Sequence, residues 1–283
     1  MVHESRGPTP ELTIRDLATL EDYQSCVVLQ EATWGVGFSE RVPAAILRVA
    51  QKVGGVSAGA FDIAGAMAGF VFGITGVRDG ELVHWSDMLA VRHDLRGRHI
   101  GERLKQYQRD KVRALGVRRM LWTFDPLMAP NAHFNFNRLG ARPVEYVLDM
   151  YGSNTGSALH GALPTDRFIM QWDLTAEAAA SPGPNATHGG GAIPLVNPLA
   201  AEGTPTRSLD LTHPTERAYR VQIPDDFGAV KAAGPERALR WRENVRSAMT
   251  ALLGHGYRVD AFHRGSADRL PYYRLVHEDP AHE

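Results

Sequence analysis

The chain has 283 residues, and its 31 lysines and arginines against 32 aspartates and glutamates leave a formal net charge of -1. A near-neutral charge excludes a bulk electrostatic attraction to nucleic acid or to an acidic membrane surface. The length corresponds to one or two domains of roughly 150 residues each. The single cysteine, Cys26, excludes an internal disulfide and indicates a reducing, cytoplasmic setting.

No targeting or membrane-spanning segment is predicted. The start of the chain is polar and contains Pro8 and Pro10, with neither a basic leader nor an apolar run. The longest uncharged stretch, 63–77, is shorter than the roughly 18 apolar residues that indicate a membrane span. The sequence therefore predicts a soluble protein.

Hydrophobic periodicity and turn residues predict an alternation of strands and helices with a mixed sheet, which is an α/β (α+β) fold class. Basic residues are strongly biased toward arginine, since the only lysines are Lys52, Lys105, Lys111 and Lys231. Strands are predicted at 12–17, 57–61, 66–75, 82–91, 120–124, 144–150, 168–174, 218–223, 257–262 and 272–276. Helices are predicted at 20–32, 43–53, 96–115, 131–139 and 235–253.

Composition also predicts how the chain is organised into domains. Residues 1–11 are expected to be a disordered N-terminus, and 12–174 a first domain. The stretch 175–215, rich in Pro, Gly and Ala, is typical of a linker. The last block, 216–283, is a β-α-β-β region that is too small to bury its own helix face. We expect it to pack on the first domain or on a second subunit.

One segment carries a chemical signal: the strand ending in Met88-Leu89-Ala90-Val91 runs into a turn rich in arginine and glycine, and a helix starts there. Such a turn exposes backbone N–H groups that have no acceptor within the helix, and the helix dipole adds partial positive charge. The combination favours binding of a phosphate or pyrophosphate. An ordinary helix start with solvated arginines is the alternative.

The stretch from Arg96 to Gly101 resembles the Arg/Gln-x-x-Gly-x-Gly/Ala signature of the GNAT N-acetyltransferase superfamily, with His99 at the place of the first glycine. The surrounding "MLAV" strand, the "LWTFD" strand and the "NAHFNFNRLGA" helix are similar to the family's elements, and their order agrees from about Leu12 to Leu174. The whole chain resembles a long subfamily of acetyltransferases with an additional C-terminal region.

The resemblance implies a mixed, mostly antiparallel sheet flanked by helices, and a division of labour around acetyl-CoA or another acyl-CoA. The turn would bind the pyrophosphate, and backbone amides of the preceding strand would bind the pantetheine arm and polarise the thioester carbonyl. The implied cofactor-binding residues are Met88, Leu89, Ala90, Val91, Arg96, Gly97, Arg98, His99, Ile100, Gly101, Glu102, Asn131, Phe134 and Asn137. No metal is expected.

Catalysis by this class of enzyme requires a base for the amine and a proton for the departing thiolate. The resemblance places Phe136 where the family often has an acidic tyrosine, so the usual acid is missing. His84 is the first candidate for a general base and Asp87 the second. A buried, structurally hydrogen-bonded His84 is the alternative. Further candidates for these proton transfers are Ser86, His133 and Asn137, with Tyr146 and Tyr151 farther along the chain.

Two functions remain open. The first is an N-acyltransferase, EC class 2.3.1, that moves an acetyl group from acetyl-CoA to a small-molecule amine by direct attack. The second is a catalytically degenerate protein that binds acyl-CoA as a sensor or scaffold. Neither nucleic acid nor membrane is an expected partner, and a homodimer is left open.

Overall fold

The computed structural model describes residues 11–152, 156–157, 163–175, 193–200, 203–206 and 209–277. The chain divides into two compact units: Met1–Trp122 with Thr155–Leu159, the N-terminal unit, and Thr123–Asn154 with His160–Glu283, the C-terminal unit. The domain extents predicted from the sequence stay predictions.

The N-terminal unit combines three helices with strands that pair in the order β1-β2-β3-β4-β5. The first three neighbouring pairs are antiparallel, and β4 and β5 are parallel. The predicted fold class, a mixed and mostly antiparallel sheet flanked by helices, is confirmed. The elements are β1 (Thr13–Asp16), α1 (Leu20–Trp34), α2 (Ala44–Lys52), β2 (Val56–Phe61), β3 (Met67–Arg78), β4 (Glu81–Val91), a 3₁₀ turn (His93–Leu95), α3 (Ile100–Arg113) and β5 (Arg119–Phe124).

The helices of this unit start where the local chemistry allows. Thr19 and Asp22 form a capping box at the start of α1, so two otherwise unpaired N–H groups are satisfied. The helix α3 starts four residues later than the sequence predicted, because a 3₁₀ turn and the arginine–glycine turn occupy the residues before it. One apolar cluster of α1, α2 and the strands includes Tyr23, Leu47 and Phe70.

The C-terminal unit contains a second set of elements with its own antiparallel sheet. Its strands β6 and β7 pair with each other, and β8, β10 and β9 form a three-stranded sheet in that order. The elements are α4 (Ala129–His133), a π turn (Phe134–Arg138), β6 (Arg142–Val147), β7 (Arg167–Asp173), β8 (Ala218–Gln222), α5 (Phe227–Ala233), α6 (Pro235–Gly254), β9 (Tyr257–His263) and β10 (Tyr272–His277).

Three expectations for this part of the chain were wrong in detail. The strand expected at 144–150 begins earlier, at Arg142, and ends at Val147. The helix expected at 131–139 is split into α4 and a π turn. The short helix α5 was missed, although Asp226 caps it by accepting a hydrogen bond from the Ala229 N–H. A seven-residue helix is too short for a periodic signal.

The expected linker is only partly described. Residues 176–192 lie outside the described residues, whereas Val196 and Leu211 are buried. Leu195 forms a parallel bridge with Arg220 of β8. The described part of 193–215 therefore packs on the C-terminal unit and is not a free connection.

The described part of the last block, residues 216–277, which we call the tail, packs on residues 123–174 of the same unit. Tyr273 of β10 is fully buried and donates a hydrogen bond to the Pro126 carbonyl at 2.7 Å. Its ring lies against Phe136, Phe168 and Phe262, with ring centroids 5.2 to 5.8 Å apart. The apolar faces of the tail are buried by this contact.

Candidate functional site

The strands β4 and β5 separate in the middle of the N-terminal unit. Their parallel pairing covers three residue pairs, from Val83–Arg119 to Trp85–Leu121. Beyond Trp85, β4 continues for six residues, and Met88 to Val91 remain paired with β3 on the other side. Among the described residues of this unit, the edge of β4 that faces β5 therefore has no strand partner over Met88 to Val91. Backbone groups along such an edge can pair with an extended ligand.

The turn between β4 and α3 has the backbone geometry of an anion-binding site. Gly97 has a φ of 77° and His99 a φ of 58°, so both residues are left-handed. His99 is the N-cap of the 14-residue helix α3, and Arg103 donates the first hydrogen bond of the helix to the His99 carbonyl at 3.1 Å. The N–H groups of the first turn have no acceptor within the helix, and the dipole makes this end partly positive.

His99 occupies a position that favours glycine. A left-handed conformation costs a non-glycine residue about 1 kcal/mol or more. The turn nevertheless keeps its left-handed residue, so the departure from the resembled motif changes the side chain and not the backbone path. The His99 imidazole is mostly exposed and lies 3.4 Å from the Glu102 carboxylate.

Gly101 has a packing role that the sequence did not indicate. A Cβ at this position would lie 3.3 Å from a methyl group of Leu89 on β4. The absence of a side chain brings α3 close to β4. This close approach fixes the turn in front of the open edge, and Ile100 is buried beside it.

A β-bulge in β4 decides which way its side chains point. Met88 pairs with Phe72 and Ser86 with Gly73, which leaves Asp87 as the extra residue. Before the bulge, Ser86 faces α3, where it bonds Gln108. After it, Met88 lies in the apolar cluster with α1 and α2. The bulge therefore turns the strand over at the point where β4 leaves β5.

Asp87 is exposed, so its carboxyl is accessible to a substrate. Desolvation by the surrounding protein raises the pKa of its carboxyl, the Trp85 side chain opposes this by a hydrogen bond, and the charge of Glu40 raises it further. Glu40 lies between α1 and α2, so two carboxylates stand near each other on this face. The sequence did not single out Glu40.

His84 is completely buried in a line of hydrogen bonds. Its Nδ1 lies 2.9 Å from the Thr75 hydroxyl, and its Nε2 lies 3.0 Å from the Gln108 amide nitrogen. Burial lowers the pKa of His84 to about 3, with a smaller contribution from Lys105. This geometry favours the structural role that the sequence left open. The general-base role stays a prediction.

Lys105 is a buried charged group of this unit that sequence reasoning missed. Its ammonium donates to the Ser86 hydroxyl at 2.7 Å and lies 4.0 Å from the centroid of the Trp122 ring. Burial lowers the pKa of Lys105 to about 7. The available signal was the scarcity of lysines, because one of only four lies beside the buried Leu104 and Gln108 in a helix.

The predicted residues that follow β5 belong to the C-terminal unit. Asn131 was expected to cap its helix, but the N-cap is Met128 and Asn131 is exposed within α4, because Pro130 fits the first turn. Phe134 is half-buried at the start of the π turn. Asn137 donates a hydrogen bond to the Phe262 carbonyl at 3.2 Å.

The two tyrosines considered as acids have hydrogen-bond partners, whereas the buried Nδ1 of His133 has none among the described residues. Phe136 is buried among the aromatic rings of the tail, so it contributes only packing. Tyr146 donates to Asp166, and burial raises the pKa of its hydroxyl strongly. The Tyr151 hydroxyl lies 2.9 Å from the Thr123 hydroxyl. Burial lowers the pKa of His133, as does the nearby charge of Arg264.

Neither a cluster of metal-ligating side chains nor a membrane-spanning helix is found among the described residues. Within the described ranges, no group of three histidine, cysteine, aspartate or glutamate side chains could hold a metal ion. None of the helices described is long and apolar enough to cross a bilayer.

Comparison with known proteins gives distant structural neighbours. No family model and no curated protein sequence matches the chain. An acetyltransferase of the GNAT family from Streptococcus pneumoniae is 17% identical, with a TM-score of 0.45 over 57% of this chain and 98% of its own. The ribosomal-protein-S18-alanine N-acetyltransferase from Escherichia coli is 18% identical, with a TM-score of 0.44 over 60% and 99%.

A third neighbour is the NatC complex bound to Gag peptide and CoA, at 17% identity and a TM-score of 0.46 over 58% of this chain and 98% of that chain. Two of these three are named as acetyltransferases, and the third is bound to a peptide and CoA. The likenesses are distant.

Proposed function

We propose that the chain is an acyl-CoA-dependent N-acyltransferase that transfers an acetyl group to an amine. The observation that carries this proposal is the junction of β4 and α3. An unpaired strand edge at Met88–Val91 leads within ten residues into a left-handed turn and the positive end of a 14-residue helix. The edge suits an extended amide-containing arm, and the turn suits a pyrophosphate.

Arginines around the turn complete the anion site. Arg96 and Arg98 flank Gly97, and Arg103 lies one turn into α3, where it bonds the Leu12 carbonyl at 2.8 Å. Charge-assisted hydrogen bonds from guanidinium groups to phosphate oxygens are among the strongest that proteins make. Acyl-CoA offers both a pyrophosphate and a pantetheine arm to such a site.

Asp87 is the base that this geometry favours. Its carboxyl is exposed at the bulge where β4 leaves β5, and its raised pKa makes it a better proton acceptor than an ordinary surface aspartate. The amine nitrogen attacks the thioester carbon, the C–S bond breaks, and Asp87 takes the proton that the nitrogen loses. Together with Glu40, it would attract a cationic acceptor.

We keep a small-molecule amine as the proposed acceptor and include peptides in the test. A panel of polyamines, amino acids and short peptides would be incubated with acetyl-CoA, and release of the CoA thiol would be followed. We expect turnover with at least one small amine. Turnover restricted to peptide N-termini would replace the small-molecule acceptor by a protein.

The cofactor assignment is tested by binding alone. Arg98→Glu removes a positive group from the turn and adds repulsion, so CoA affinity measured by calorimetry should fall about tenfold or more. Arg113→Glu is the matched control, because it makes the same charge change on an exposed arginine in the last turn of α3. Equal CoA affinity in the two variants would show that the turn does not bind CoA.

Asp87→Asn tests the base. Turnover should fall by roughly 100-fold or more while CoA binding is retained. His84→Gln is the comparison, since His84 is buried away from solvent. A larger loss of turnover in the His84 variant, at equal stability, would show that His84 and not Asp87 is the base.

A second candidate, binding of acyl-CoA without turnover, is favoured by one observation. Phe136, at the place of the usual tyrosine, is locked into the aromatic core of the tail. Tight CoA binding with no thiol release across the whole amine panel would support this sensor function over the enzyme.

A further inference from the structure

We propose that Lys105, acting through the Ser86 hydroxyl, supplies the proton that the departing CoA thiolate takes up. The inference rests on the proposed acyl transfer and deepens it, because it assigns the acid that the sequence could not place. It makes Ser86 the group that contacts the sulfur and Lys105 a positioning residue behind it.

The first argument is location. The pairing of β4 with β5 ends at Trp85 and Leu121. The next residue on each strand contacts the Lys105 ammonium: Ser86 by a hydrogen bond of 2.7 Å and Trp122 by a ring contact at 4.0 Å. The lysine therefore lies at the closed end of the opening between the strands. The proposed function places the thioester in this opening.

The second argument is the direction of the hydrogen bonds. Thr75 donates to the Gly54 carbonyl at 2.7 Å, so its oxygen is free to accept from His84 Nδ1. His84 Nε2 then accepts from the Gln108 amide, whose oxygen accepts from Ser86 at 2.7 Å.

Each member of this line thus has one assignment of its protons that satisfies both neighbours. Because the Ser86 hydroxyl donates its proton to Gln108, its oxygen can only accept from Lys105. The Lys105 ammonium is therefore the donor in that hydrogen bond. If Ser86 turns its hydroxyl toward a thiolate, Lys105 is already in place to replace the proton.

The third argument is the missing counter-charge. Among the described residues no carboxylate pairs with Lys105, although its residue is 4% exposed. Burial strongly disfavours an ammonium when no carboxylate compensates its charge. The pKa of about 7 is the consequence, and it leaves Lys105 able to give up a proton near neutrality.

The charged groups around Lys105 have other partners or are neutral. His84 on β4 is uncharged at neutral pH because its pKa is about 3. Asp16 on β1 binds Tyr107 and Lys111 of the same helix. On β5, Arg119 pairs with Glu81. None of these carboxylates offsets the charge of Lys105.

The step balances without an additional reactant. The amine nitrogen forms a bond to the carbonyl carbon, and the C–S electron pair goes to sulfur. Ser86 gives its proton to the sulfur and takes one from Lys105, so CoA leaves as the thiol and Lys105 becomes neutral. The proton lost by the amine goes to Asp87 and then to solvent, and solvent reprotonates Lys105 after the product leaves.

The experiment compares wild type with Lys105→Met, Ser86→Ala and the control Lys111→Met, which removes an exposed lysine from the same helix. We expect turnover to fall about 100-fold in the first two variants and to stay unchanged in the control. The wild-type rate should decline above neutral pH as Lys105 loses its proton, and Lys105→Met should lose that decline. CoA affinity should be unchanged throughout.

A second readout needs no turnover. An ammonium favours a nearby thiolate, so near pH 7, where Lys105 still carries charge, bound CoA should have a larger thiolate fraction in wild type than in Lys105→Met, followed by ultraviolet difference absorbance. The same thiolate fraction in both proteins would overturn the inference, as would equal turnover with an equal pH profile. If CoA does not bind to wild type, it is the proposed function that fails.

Discussion

The two units of the chain bury cationic side chains in opposite ways. In the C-terminal unit, α6 presents Arg242 to Asp125 through two hydrogen bonds of 2.9 and 2.5 Å, and Arg246 to Asp166 through a second bidentate pair. In the N-terminal unit, α3 presents Lys105 to a hydroxyl and an indole ring. The charges of Arg242 and Arg246 are neutralised by carboxylates, whereas no described carboxylate pairs with Lys105.

The pKa directions reflect this difference. Burial alone would raise the pKa of Asp125, but Arg242 more than offsets it and holds the pKa below its usual range. For Lys105, burial acts without opposition and lowers the pKa. Arginine–carboxylate ion pairs, in which both charges are compensated, hold the tail on residues 123–174. Lys105 has no compensating charge and can lose its proton near neutral pH. Four predictions test the contrast.

The largest effect is expected for Arg242→Met. It leaves Asp125 buried with its main partner removed, and breaking a buried ion pair from one side typically costs about 3–5 kcal/mol of unfolding free energy. Urea denaturation gives the value. Arg240→Met, on an exposed position of the same helix, is the control. Similar stabilities for the two variants would show that the Asp125 pair does not hold the tail.

Gly73→Ala tests the packing around the line of hydrogen bonds that includes His84 in the N-terminal unit. The added Cβ would lie 2.6 Å from the Trp85 carbonyl and closer still to His84 Nε2, so the hydrogen-bonded line has to shift. Overpacking of this kind costs up to about 3 kcal/mol. Gly76→Ala on the same strand has open space and should cost much less. Chemical denaturation of the two variants decides, and an unaffected Gly73 variant would mean that the line is loosely packed.

The pH dependence of stability follows from Lys105. Its folded pKa of about 7 lies below the unfolded value of 10.5, so the unfolded state binds more protons between these values and stability rises with pH. The gain from pH 7 to pH 9 should be roughly 2 kcal/mol in wild type, measured relative to Lys105→Met. A flat difference between the two proteins over this range would contradict the lowered pKa.

The smallest effect concerns the turn. His99→Gly removes a left-handed side chain but adds disorder to the unfolded state, so stability should change by less than about 1 kcal/mol. The backbone path is already that of the glycine, and CoA affinity should therefore rise only slightly. A large rise in CoA affinity, measured by calorimetry, would mean that the His99 side chain obstructs the pyrophosphate.

Local pattern determined much of this protein. Alternation and turn residues gave the order of strands and helices in the N-terminal unit, and the arginine–glycine turn marked the start of α3, because these signals depend on residues close in sequence. The left-handed turn at Gly97 and His99 could be anticipated only as a resemblance, since a histidine gives no local signal for a positive φ.

Only the tertiary structure decided which polar groups could act. One bulge at Asp87 reversed the facing of β4, so that Ser86 contacts α3 whereas Met88, two residues later, packs in the apolar cluster with α1 and α2. The pKa of Lys105 is lowered because α3 packs this residue against Ser86 and Trp122, which are 19 and 17 residues away in the chain. Burial and counter-charge depend on such distant contacts, and for this reason periodicity could place the helix but not reveal its buried lysine.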